Sequence, residues 1–237
     1  MNARGTLEVA RLGTVDYVRA LKLQDALVAA RRDDLTGDAL LLLEHPHVFT
    51  LGRGANERYL LEARPGVPVF RVSRGGEVTY HGPGQLIGYP ILKLEGSDRD
   101  VHVYLRQLES VMIEAVAEMG ISAGRREGLT GVWVGERKIG SIGVGLRRWI
   151  TLHGFALNVS TDLGYFGAMV PCGIAGVDMT SIERETGARA QVDAVGINIE
   201  HAFVSVFGYE RSIDSDPAAL WERVDLAEMD CDPQLRI

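Results

Sequence analysis

Cys172, in the stretch Val170-Pro171-Cys172-Gly173-Ile174, is the best candidate nucleophile among the 237 residues. Proline and glycine on either side bend the chain and favour a thiol presented on a loop. A free thiol titrates near ~8.5, so only a few per cent is thiolate at neutral pH unless a cation stands beside it. Lys138, between Arg137 and Ile139 at the head of a glycine-laced strand, is the candidate cation, and a helix over Thr180 to Thr186 offers its positive N-terminal end. Spacing alone does not bring Lys138 to Cys172. The alternatives are an inert buried thiol and a solvated turn lysine. Cys231 lies among Glu228, Asp230 and Asp232, whose charges disfavour a thiolate, and it takes no catalytic role.

A second feature with chemical potential is the loop Arg74-Gly75-Gly76-Glu77-Val78-Thr79-Tyr80-His81-Gly82-Pro83-Gly84-Gln85. It fails the phosphate-binding patterns. Its glycine spacing is one residue too long for the dinucleotide fingerprint, and Pro83 removes an N–H from a loop that would have to present N–H groups. Gly135 and Gly140 have P-loop spacing, but Ser141 and Ile142 follow where Lys and Ser/Thr should stand. No serine-hydrolase signature occurs. His45-Pro46-His47 is too short for a metal site and reads as a turn with partly solvated histidines.

The elements that must position these residues are read from periodicity. Tyr17, Ala20, Leu21, Gln24, Leu27 and Val28 recur at helical spacing, as do Val101, Tyr104, Leu105, Leu108, Val111, Met112, Ala115, Val116 and Met119 before Gly120. Apolar runs at 39–43, 69–72, 86–92, 131–135, 138–144 and 149–159 predict strands. Later helices are predicted over Thr180 to Thr186, over Val192 to Val206 and over Ala218 to Met229. Strands crowded between helices predict an α+β fold, as one domain over 1–237 with a C-terminal helical appendage at about 216–237. A formal charge of -7 argues against a nucleic-acid or polybasic membrane grip. Two cysteines, no signal-type leader and no long apolar run predict a soluble, cytosolic chain.

The stretch RGGEVTYHGPGQLIGYPI resembles the signature of the octanoyl-(acyl carrier protein):protein N-octanoyltransferases of lipoate biosynthesis. Further similar segments are Glu44-His45-Pro46, Thr50-Leu51-Gly52-Arg53, Gly135 to Gly143, His153 to Asn158 and Pro171 to Ile174, in the family's order from about residue 40 to about 185. The resemblance implies the fold of the biotin and lipoate protein ligases, a mixed sheet flanked by helices. It also implies that Cys172 is the acyl-thioester nucleophile and that Lys138 lowers its pKa. Arg74, Gly75, Gly76, Glu77, Val78, Thr79, Tyr80, His81, Ser141, Ile142, Gly143, Gly154, Phe155 and Ala156 would then line the acyl site. On that reading Gly75 and Gly76 let backbone approach a linear acyl chain, whose burial contributes roughly 5 kcal/mol at ~0.8 per methylene.

The implied reaction is ATP-independent and uses neither cofactor nor metal. Octanoyl arrives on the phosphopantetheine of an acyl carrier protein, passes to Cys172, and leaves on a lysine of a lipoyl domain or of the glycine cleavage H protein; the enzyme is expected to be a monomer. Lys138 serves as counter-ion while charged, or as base if neighbouring Arg137 and burial neutralise it. Oxyanion donors are expected from backbone N–H groups of Gly140 to Gly143 or of the Cys172 bend. His81 either donates to the substrate, orients the amine or takes its proton, or is a hydrogen-bonded turn residue. Arg74 either touches substrate or braces its loop on a carboxylate. Arg71, Arg74, Arg125, Arg126, Arg137, Arg147 and Arg148 are candidates for a basic face toward acidic partners, with scattered solvated charges as the alternative. The rival readings are an ATP-dependent ligase on the same fold, which would not need Cys172, and a non-catalytic acyl- or lipoyl-domain-binding module.

Overall fold

A computed structural model of the chain describes residues 4–62, 64–170 and 177–226. Helix α1 (Tyr17–Arg32) opens at Asp16, whose carboxylate accepts from the N–H groups of Val18 and Arg19; α2 (Val101–Ala117) opens at Asp100 in the same way, on His102 and Val103. Each cap satisfies amide donors that the first helical turn leaves without carbonyl partners. Helix α3 (Ile182–Thr186) is capped by Ser181, and α4 (Val192–Phe207) stops at Gly208 in the left-handed conformation.

The strands are β1 (Arg4–Thr14), β2 (Asp38–Glu44), β3 (Val48–Leu51), β4 (Val69–Arg71), β5 (Val78–His81), β6 (Gln85–Ile91), β7 (Gly124–Arg126), β8 (Leu129–Val134), β9 (Arg137–Arg147), β10 (Ile150–Asn158) and β11 (Tyr209–Asp214). Eight form a sheet of order β11-β1-β2-β6-β10-β9-β8-β7, and β4-β3-β5 form a smaller one. The large sheet is mixed: β1 runs parallel to β11 and β2, whereas β6, β10, β9 and β8 pair antiparallel. The α+β expectation therefore holds.

Alternation along the strands sends side chains to two cores. Leu40, Leu42, Leu86 and Leu157 pack with α2 and α4, while Leu41, Leu43, Ile87 and Ala156 pack with α1. The small sheet has its own cluster, in which Phe49, Leu51, Val78 and Tyr80 meet Phe166 and Met169.

Three sequence expectations need correction. β1, β3, β5, β7 and β11 were not expected as strands; β5 lies inside the glycine-rich loop, and the polar residues of β1 interrupt any apolar run. The C-terminal helix α5 (Pro217–Leu226) is no appendage, since Leu220 is buried with the α1 cluster and Arg19 lies over the Trp221 ring at 4.2 Å. His45 is fully buried and not solvated. Its Nδ1 donates to the Val15 carbonyl at 2.7 Å, which fixes the tautomer and leaves Nε2 to accept from the Tyr89 hydroxyl at 2.8 Å.

Candidate active site

A cavity of about 260 Å³ opens between the α1-facing side of the large sheet and the small sheet with its adjoining loop. Its floor is built by register. Gly143 on β9 pairs with Gly154 on β10, and Ser141 pairs with Ala156, so small residues face one another where the wall must stay open. On β6, Gly88 pairs with Phe155; a Cβ there would stand 2.1 Å from the Phe155 ring, so only glycine leaves room for that ring. Arg74, Gly76, Glu77, Val78, Thr79 and His81 close the cavity from the small-sheet side.

The expected lining is thus brought together, with two exceptions. Gly75 does not line the cavity; its N–H donates to the Val144 carbonyl at 2.9 Å and stitches the loop to β9. Tyr80 points the other way, stacked on Tyr165 at 4.6 Å, with its hydroxyl 2.7 Å from His47 Nδ1. Neighbours on a strand face opposite sides, so Thr79 and His81 reach the cavity and Tyr80 the core behind it. The glycine argument shifts accordingly. Gly76 is needed for its φ of +83°, and close backbone approach occurs instead at Gly88, Gly143 and Gly154.

Arg74 is buried, with its Nη2 2.7 Å from the Thr50 carbonyl and 2.9 Å from Thr50 Oγ1, and its Nη1 2.9 Å from the Gly75 carbonyl. These neutral oxygens brace the loop in the way expected of a carboxylate, while the side chain still borders the cavity.

Lys138 is 2 % exposed on the cavity wall. Its Nζ donates to the Thr130 carbonyl at 2.9 Å and stands 5.3 Å from the centre of the Trp133 ring. Gly131, at φ +124°, makes the space: a Cβ there would come within 2.6 Å of Lys138 Cε. Arg137 turns to the opposite face and pairs with Glu185 at 2.8 Å, which holds the Glu185 carboxyl below the usual range, so its charge is directed away from Lys138.

Cys172 and Cys231 lie outside the described residues. The chain that emerges after 176 is nevertheless tied to the lysine. The Lys138 N–H donates to the Asp178 carbonyl and the Thr180 N–H donates to the Lys138 carbonyl, both at 2.9 Å.

Burial pushes the pKa of His81 down to about 3, with His45 as the next cause, and that of His153 down to about 3, with Arg74 next. Both imidazoles are neutral across the physiological range. Tyr17, Tyr89, Trp133, Leu129, Thr130 and His153 also border the cavity and were missed as site residues. Tyr17 and Trp133 look like ordinary core positions in a helical stripe and a strand; only the tertiary fold turns them inward. His153 has a φ of +56°, a strained conformation for a residue with a Cβ, at the point where β10 passes the cavity.

Several of the arginines considered for a basic face have partners of their own, closer to the alternative of scattered charges. Arg71 pairs with Glu57, Arg125 with Glu109 and Arg147 with Asp25, while Arg126 lies over Trp133 at 5.0 Å. No helix among the described residues is long and apolar enough to cross a membrane.

Comparison with known proteins agrees with the geometry. The lipoyl protein ligase A/B catalytic domain family matches residues 16–204. An octanoyltransferase of Solibacter usitatus is 52% identical over 205 residues, covering 84% of this chain and 92% of that protein. One of Gloeobacter violaceus is 45% identical over 218 residues, covering 88% and 91%. A solved bipartite lipoate protein ligase of Thermoplasma acidophilum superposes with a TM-score of 0.70 over 94% of this chain and 93% of that one; at 18% identity this shows a shared fold. With the family matched along most of its length and the glycine-floored cavity in place, the chain belongs to the lipoyl protein ligase A/B catalytic-domain family and, within it, to the octanoyltransferases.

Proposed function

We propose that the chain moves an octanoyl group from an acyl carrier protein to a lysine of a lipoyl domain or of the glycine cleavage H protein, without ATP, as a monomer in the cytoplasm. The observation that carries the reading is the cavity itself. Its floor of paired small residues suits a linear acyl chain, and its volume of about 260 Å³ falls just below the range usual for drug-sized ligands, roughly 300–1,000 Å³, as a slender chain requires.

In the first step the Cys172 thiolate attacks the octanoyl thioester: a new S–C bond forms, the old one breaks, and the phosphopantetheine sulfur leaves as thiolate and takes up a proton. In the second step a neutral lysine amine attacks the acyl-enzyme. The N–C bond forms, the Cys172 S–C bond breaks, and the proton lost by nitrogen passes to the departing sulfur or to solvent. Lys138 supports the thiolate in both steps as the cation on the wall, positioned through Asp178 and Thr180 on the chain that follows Cys172. Burial strengthens such a pairing by lowering the local dielectric.

Intact mass after incubation with octanoyl-acyl carrier protein and no ATP, followed by an unmodified lipoyl domain, tests the reading. An adduct that maps to Cys172 and then moves to the acceptor lysine is expected. Acceptor modification that needs octanoate and ATP, without an adduct, would overturn it in favour of a ligase.

A further inference from the structure

His81 is joined to the backbone beside Lys138 by a buried chain of side-chain amides. His81 Nδ1 lies 2.8 Å from Gln85 Oε1, Gln85 Nε2 lies 2.9 Å from Asn158 Oδ1, and Asn158 Nδ2 lies 2.9 Å from the Thr180 carbonyl. All four residues are buried. The fold places them by register: His81 ends β5, Gln85 opens β6, and Asn158 ends β10 directly opposite Gln85. The intervening turn is clamped at Gly84, whose N–H donates to Glu44 Oε2 at 2.6 Å and whose carbonyl accepts from the N–H groups of Val159 and Ser160.

The direction of this relay is fixed at its far end. A peptide carbonyl only accepts, so Asn158 must turn its NH₂ to Thr180 and its oxygen to Gln85. Gln85 must then donate to Asn158 and offer its oxygen to His81, so His81 carries its proton on Nδ1. Reversing any member would set two buried oxygens, or two N–H groups, face to face. Among the described residues Nε2 has no hydrogen-bond partner, and the ring borders the acyl cavity.

We propose that Gln85 and Asn158 are positioning residues that hold His81 as the Nδ1–H tautomer, so that its Nε2 lone pair accepts a hydrogen bond from the incoming acceptor amine and aims that nitrogen at the acyl carbonyl. The inference rests on the acyl-transfer reading. It assigns His81 no net proton transfer: a ring so disfavoured as a cation by burial orients the amine and does not strip it. Tyr17 stacks on the ring at 6.2 Å and His45 meets it edge-on at 5.9 Å, which fixes its plane. Because the Thr180 N–H also donates to Lys138, the orienting imidazole and the cation share one hydrogen-bonded frame.

The test has two arms on the full chain. Histidine-ring ¹⁵N NMR, with the His81 signals identified by their loss in His81→Gln, should show Nδ1 protonated and Nε2 bare in the unliganded protein; the opposite tautomer overturns the proposal. Single-turnover kinetics of Gln85→Met and Asn158→Asp should show the amine step slowed tenfold or more, the lower end of the loss seen when outer hydrogen-bond partners of ligating histidines are removed. Loading of octanoyl should slow much less. Equal losses in both steps would mean a structural role only and would also overturn it. A wild-type chain that never forms the acyl adduct would sink the transfer reading, while the NMR result still decides the tautomer.

Discussion

The Arg74 side chain lies against Gly143, with its Cδ 2.9 Å from where a Cβ on that glycine would stand. The guanidinium cannot swing clear cheaply, because Thr50 holds it with hydrogen bonds of 2.7 and 2.9 Å. Gly143→Ala should therefore push the Arg74 loop outward and weaken acyl binding. We expect a stability loss of about 1–3 kcal/mol, as for other overpacking substitutions, with octanoyl-carrier KM raised more than kcat is lowered. Denaturant titration and steady-state kinetics check this, and an unaltered KM would show that Arg74 does not shape the donor site.

Lys138 and Gly131 make a second dependent pair. Lys138→Ala should reduce acyl-adduct formation by at least tenfold, because the wall loses its cation. Lys138→Arg should not restore it, since the longer, planar guanidinium has to fit between Gly131 and the Trp133 ring. Gly131→Ala should imitate Lys138→Ala: the new methyl meets both Lys138 Cε and the Gly140 carbonyl at 2.6 Å, on backbone at φ +124°. Adduct yield by intact mass ranks the three variants; full activity in Gly131→Ala would show that the lysine tolerates displacement.

Three buried histidines predict a pH dependence of stability. Burial lowers the pKa of His45 to about 4 and those of His81 and His153 to about 3, against about 6.5 in an unfolded chain. Since the folded pKa values lie below the unfolded one, the unfolded state binds more protons as the solution is acidified. Stability from this source is therefore complete above about pH 6.5 and falls as pH drops toward 4 and then 3. Each histidine adds a slope of up to about 1.4 kcal/mol per pH unit. Urea midpoints at pH 7 and 5.5 should show the decline, and His45→Gln should remove about a third of it. A flat profile over that interval would mean that these rings gain protons inside the fold.

Much of the fold was legible because α1 and α2 carry apolar stripes of the right period and β6, β9 and β10 are apolar runs between turns. The strands that escaped notice are short or carry charge, and β5 is hidden among glycines whose spacing suggests only a loop. Within the site, the strand period separates Thr79 and His81 from Tyr80, but only once β5 is known to be a strand. Tyr17, Trp133 and the Gln85–Asn158 relay could not be found from spacing, since their partners lie far away in sequence. The charge pattern left two readings open for a related reason: the partners of Arg71, Arg125 and Arg147, which are Glu57, Glu109 and Asp25, become visible only once folding brings them together.

The contact between Gly88 and Phe155 should set acyl length. The Phe155 ring is buried behind the cavity floor, in the cluster that packs on α2 and α4, and fills the space that a Cβ on Gly88 would take, only 2.1 Å away. Two substitutions at this contact should act in opposite directions. Gly88→Ala must displace the ring, press the β10 floor at Gly154 and Ala156 toward the cavity and favour hexanoyl over octanoyl donors. Phe155→Leu should free volume behind the floor, let β10 settle away from the cavity at a cost of about 1–3 kcal/mol in stability, and favour decanoyl. Competition between donors of different length, read by acyl mass on the acceptor domain, measures both. Opposite shifts would establish the ring as the length gauge, because a general loosening of the core would relax the preference the same way in the two variants.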